Sequence, residues 1–170
     1  LVEELRRDGL LNDDDHHLAQ TIRRKADETG LHALTVLARQ GYRDSRATGS
    51  KVLTEHALVD WLAEREGMQS YAIDPLEINV SAVTDVMSYA FSERHQILVV
   101  KVGVDEVTVA CSEPHVTAWV SDLEHVTRRR VTRVLSSPED IRRYRVEFYQ
   151  LANSVSRARK DHSGISSVQN

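Results

Sequence analysis

Two apolar runs with strand character, Ile97 to Val102 and Glu106 to Cys111, flank a short turn at Gly103-Val104-Asp105. Such a pair reads as an antiparallel hairpin. The rest of the chain places its apolar residues at helical spacing, so the hairpin must be covered by helices. A further run from about Arg130 to Leu135 supplies a third strand. The expected fold class is therefore α+β: a helical N-terminal third, then a small three-stranded antiparallel or mixed sheet packed with helices.

The helices can be placed from their ends. Asn12 caps a segment from about Asp13 to Lys25, with acids at its positive end and Arg23, Arg24 and Lys25 at its negative end. Leu10, Leu11, Leu18 and Ile22 mark apolar positions near and within it. Gly30 closes it, and a shorter helix follows with Leu34, Val36 and Leu37. After the polar loop Gly41 to Ser50, Thr54 caps a helix that ends before Gly67. Pro75 then disfavours helix at Asp74. Ser81 is read as the cap of a helix with Val83, Val86, Met87, Ala90 and Phe91 on one face. Glu113-Pro114 opens another, and Ser137-Pro138-Glu139-Asp140 starts the last, with Ser as N-cap and Pro in the first helical position.

Composition narrows the chemistry. Of 170 residues, 41% are hydrophobic and 28% charged, which suits a globular protein with a core. No apolar run reaches the roughly 20 residues of a membrane-spanning helix. A net charge of −4 and an aromatic content of 5% argue against a nucleic-acid binder. A lone cysteine, Cys111, excludes an internal disulfide and a paired-cysteine zinc site, and a reducing cytoplasm suits it.

Candidate sites mostly reduce to structural roles. Asp13 to Asp15 with His16 and His17 lack the spaced ligands of a calcium loop, and adjacent histidines do not suit zinc. They read as an acidic helix start. Gly49-Ser50-Lys51 fails the phosphate-loop pattern, because Ser50 separates Gly from Lys. Arg128, Arg129, Arg130 and Arg133 form the basic cluster, read as a solvated strand entrance. Cys111 with His115 is a conceivable nucleophile pair, but a small buried hydrophobe is the plainer reading. Trp61 and Trp119 read as core or interface anchors. The residues alone thus give a non-catalytic module without metal or cofactor.

Three ordered segments give more. Val52 to Ala63, Tyr71 to Ile78 (YAIDPLEI), and the unit from Ile97 through Glu113-Pro114 to Ser137-Pro138-Glu139-Asp140-Ile141 and Tyr149 resemble the N-terminal domain of the ATPases that drive type II secretion and type IV pilus assembly. The likeness covers about 100 of the 170 residues. It implies a helical region at 1–66, the α+β domain proper at 67–155, and a linker at 156–170 leading to a P-loop motor. It implies a parent that is hexameric and binds ATP and magnesium. The domain itself would be no enzyme and would dock on the cytoplasmic domain of an inner-membrane platform protein, giving a cytoplasmic location peripheral to that membrane. Leu10, Leu11, Leu18 and Ile22 are the expected partner-binding residues. One branch of the family binds cyclic di-GMP through a duplicated motif that begins R-L-G. Here that start is absent, Lys51 replaces a Gly and Arg65 replaces a Gln, which counts against that ligand.

Overall fold

The computed structural model describes residues 1–48 and 51–165, with side chains of the last helix described to residue 160. Gly49 and Ser50 of the phosphate-loop comparison, and the tail from 166, lie outside the described residues. The chain divides into two compact units, Leu1–Ser70 and Tyr71–Asn170.

The first unit is helical. It comprises α1 (Val2–Arg7), α2 (Asp13–Ala19), α3 (Ile22–Thr29), α4 (Ala33–Arg39) and α5 (Glu55–Glu66). Asn12 caps α2 as expected, accepting from the Asp15 amide at 2.8 Å. The single helix expected from Asp13 to Lys25 is in fact two, broken at Gln20 and Thr21. The break brings Ala19 and Ile22 into the core and leaves Leu18 outside, 63% exposed. In one continuous helix Leu18 and Ile22 would share a face. α5 has the ends its sequence announced: Thr54 Oγ1 accepts from the Ala57 amide at 3.2 Å, and Gly67 takes the left-handed conformation at φ 64°. Leu5, Leu10, Leu11, Ile22, Leu34, Leu37 and Leu58 form the core of this unit.

The second unit contains α6 (Val80–Val86), α7 (Tyr89–His95), β1 (Leu98–Val102), β2 (Glu106–Cys111), α8 (Ala118–Thr127), β3 (Arg130–Leu135) and α9 (Pro138–Ile165). The strand order is β1-β2-β3. β1 and β2 pair antiparallel, with Val99 opposite Val109 and an irregularity between Val99 and Lys101. β2 and β3 pair parallel, with Val107 opposite Val131. The sheet is therefore mixed, because α8 carries the chain back to the starting end before β3 begins. Val99, Val107, Val109 and Ala110 are fully buried, together with nearly buried Trp119, Ile141 and Phe148.

Three helix boundaries differ from expectation. Asn79, not Ser81, caps α6, accepting from the Ala82 amide at 3.1 Å. The helix expected to run through Phe91 breaks at Met87, whose backbone is extended, and Ser88 caps α7. Glu113-Pro114 lies in a turn, and α8 starts only at Ala118. Ser137 does cap α9, accepting from the Asp140 amide at 3.1 Å. That helix has 28 residues, so the segment expected to be linker from 156 is helical through Ile165.

Candidate functional site

The helical unit carries the most concentrated polar chemistry. Gly9 follows the short α1 with φ 80°, a conformation that favours glycine. The turn it makes leaves Asp8 free to face α5. There Trp61 and Arg65 stand one helical turn apart, on one face. Trp61 Nε1 donates to Asp8 Oδ2 at 2.9 Å, and Arg65 NH1 donates to both Asp8 oxygens at 2.8 and 2.9 Å. Arg65 also reaches Glu4 at 3.6 Å. These bonds hold the Asp8 carboxyl below its ordinary range, chiefly through Trp61 and then through Arg65. The indole body of Trp61 is 5% exposed, so the expected core anchor also has a polar partner.

The loop after α4 completes the site. Its ends are pinched by a bridge between Arg43 and Val52. Its middle is pinned to the turn after α1, where the Ser45 amide donates to the Leu10 carbonyl at 3.0 Å. Arg46 forks onto Asp44 with bonds of 3.1 and 3.0 Å, and its aliphatic stem lies over Gly9. A Cβ on Gly9 would come within 3.4 Å of that stem. Two cavities flank the loop. One, of about 300 Å³, is lined by Asp8, Arg46, Trp61, Glu64 and Arg65. The other, of about 580 Å³, is lined by Asn12, Asp15, Gln40 and residues of the loop, including Tyr42, Arg43 and Asp44. Burial pushes the Tyr42 hydroxyl up, with Asp15 adding to the effect, so it stays a neutral donor at neutral pH. The walls offer guanidinium groups, carboxylates, a phenol and amides. Such a set suits hydrogen bonding to a polar ligand or partner.

Of the expected partner-binding residues, Leu10, Leu11 and Ile22 are 1%, 3% and 1% exposed. They build the unit's own core, and only Leu18 is placed at the surface. Asp8 and Arg46 went unassigned in the sequence, and Arg65 was noted only as a replacement in the dinucleotide motif. The available signal was the Trp61-Arg65 spacing opposite an acid that directly precedes a glycine.

The remaining candidates take structural places. Asp13 pairs with Arg6 at 2.9 Å, and His16 Nε2 lies 3.0 Å from Glu3. Among the described residues no group of three or more His, Cys, Asp or Glu side chains is placed to hold a metal ion. Cys111 is 2% exposed, its thiol points at the Val134 carbonyl at 3.6 Å, and burial pushes it up to about 11. In the basic cluster, Arg129 donates to the Gly103 carbonyl at 3.0 Å and Arg133 to the Pro114 carbonyl at 2.8 Å. Those two guanidinium groups tie strand ends together. No helix among the described residues is long and apolar enough to cross a membrane.

Comparison with known proteins adds three findings. Residues 67–155 match the MshEN domain. The type IV pilus assembly ATPase TfpB of Acinetobacter baylyi is 33% identical over 174 residues, a match covering 98% of this chain and 30% of that protein. The chain thus spans under a third of the length of this curated relative. Among solved structures, that of MshE with cdg aligns at a TM-score of 0.58 and 16% identity, covering 87% of this chain and 97% of that one. The N-terminal domain of XpsE aligns at a TM-score of 0.47 and 16% identity, covering 85% and 90%.

Proposed function

The chain belongs to the MshEN domain family, found at the N-terminus of secretion and pilus assembly ATPases, and on that premise we propose that it is a non-catalytic docking domain of such a motor. In this reading it tethers the motor to the cytoplasmic domain of an inner-membrane platform protein. The downstream chain of the parent supplies the ATP and magnesium site and the hexameric ring. The observation that carries the reading is 33% identity to a pilus assembly ATPase along 98% of this chain. Two structural facts support it. The buried Cys111, with its thiol pushed up to about 11, is unsuited to nucleophilic work. The polar residues of the helical unit pair with one another in a way that suits recognition. The test is co-elution of the tagged chain with purified platform cytoplasmic domain on gel filtration. A shared peak supports docking, and separate peaks at every mixing ratio count against it.

A second reading is nucleotide sensing, with cyclic di-GMP as the first ligand to try. It is favoured by the shared fold of MshE, whose structure was solved with cdg, and by the polar cavity of about 580 Å³ beside the Arg43–Asp44 loop. This weakens the expectation drawn from Lys51 and Arg65, since a polar cavity is present despite those departures. Calorimetry with the dinucleotide decides it. A saturable isotherm places a sensor in this domain, and silence at about 1 mM leaves docking alone.

A further inference from the structure

We propose that α7 is a latch, opening as a unit while the sheet stays folded, and that the buried cation Arg145 on α9 sets how tightly it is closed. α7 has seven residues, and the one it buries fully is Ser92, so it contributes no fully buried apolar side chain. Its neighbours differ: Ile97, just beyond it, is 1% exposed, and β2 is buried along most of its length. Elements with few buried apolar contacts open at lower cost than the core.

Polar groups of α9 meet α7 at its two ends, Tyr149 as a tie and Arg145 as a buried cation, while within the segment Ser92 Oγ donates to the Ile97 carbonyl at 2.5 Å. The Tyr149 hydroxyl donates to the Met87 carbonyl just before it, and the Tyr149 and Tyr89 rings meet edge to face at 5.5 Å. One turn earlier on α9, Arg145 reaches the other end. Its NH1 lies 3.4 Å from the Ser92 carbonyl and its NH2 3.5 Å from the Gln96 side-chain oxygen. Charge-assisted bonds are normally about 2.7–2.9 Å, so both contacts are long. Arg145 is 3% exposed, its Nε has no hydrogen-bond partner, and no carboxylate pairs with it among the described residues. Its compensation is the carbonyl end of one short helix, which carries only a fraction of a charge. A buried guanidinium in that state destabilises the closed position relative to an open one in which water reaches it. The hinges are already in place: Met87 is extended at the front, and Gln96 sits at φ 53° behind.

Native-state hydrogen exchange on the whole chain tests this. In the wild type, amides from Phe91 to Ile97 are expected to exchange at least about tenfold faster than the interior amides of β2. Arg145→Met keeps the length of the side chain and removes the charge, so it should slow α7 exchange about threefold or more and leave β2 unchanged. Tyr149→Phe removes the tie to Met87 and should speed α7 exchange several-fold. Equal protection of α7 and β2 in the wild type would overturn the latch. Unchanged or faster α7 exchange in Arg145→Met would overturn the role of the cation. If Arg145→Met does not fold, Arg145 is a net stabiliser and that role also fails, leaving the wild type and Tyr149→Phe to decide the latch.

Discussion

Cys111 shows how one side chain's surroundings decide its chemistry. It ends β2 in the sheet interior, and burial raises its thiol to about 11. At neutral pH it should resist a thiol reagent for as long as the domain is folded, and react fully once denatured. Rapid labelling of the native protein at pH 7 would contradict this burial. Asp8 is the opposite case, an acid held ionised by Trp61 and Arg65. Its folded value lies below its unfolded value of about 3.9. The stability it lends is therefore present above that unfolded value and lost as pH falls through the lowered one. Asp44 is lowered in the same direction by Arg46. Thermal melts by circular dichroism between pH 7 and 2.5 should fall on the acid side. Asp8→Asn should lower the melting temperature at pH 7 and flatten that fall. Leu18 carries the docking reading at this scale, because it alone of the expected partner residues is exposed. Leu18→Glu should weaken platform binding by at least about tenfold with an unchanged melting temperature, since fully burying a leucine is worth about 1.5–3 kcal/mol. Unchanged affinity would move the interface elsewhere.

Helix starts and stops were legible where a side-chain cap or glycine marks them. Asn12, Thr54, Gly67 and Ser137 each stand where the sequence put them. Thr54 gives a direct check: Thr54→Ala should cost about 1 kcal/mol in a urea melt by removing the acceptor of the Ala57 amide. What could not be read were breaks inside an apolar pattern. Leu18 with Ile22, and Val83 with Met87 and Phe91, keep helical spacing across a break. Local periodicity does not register that the chain turns there so that Ala19, Ile22 and Met87 can reach the core. Ser88, which caps α7, was a readable signal that went unused. The extent of α9 was hidden for a related reason. Residues 156–160 are mostly polar and exposed, as a linker would be, yet nothing between Ser156 and Arg159 breaks a helix.

At the scale of the whole molecule, the three strands and the β1–β2 hairpin were written in the sequence, because β-branched runs separated by a turn have few other solutions, while the place of β3 beside β2 was not. Nor was the parallel pairing of β3, since it depends on where α8 returns the chain. The candidate site was the least legible part. Asp8, Arg46, Trp61 and Arg65 come from three separated stretches and meet only through the turn at Gly9 and the loop pinned to Leu10. Family membership, in contrast, was legible, and the match over residues 67–155 takes in the second and third of the ordered segments. The central claim is that this domain tethers a motor to a membrane platform. Cell fractionation tests it most directly, using the tagged chain expressed alone in cells with and without the platform protein. The domain should pellet with the inner membrane only when the platform protein is present. Recovery in the soluble fraction in both strains, or in the membrane fraction in both, would contradict the claim.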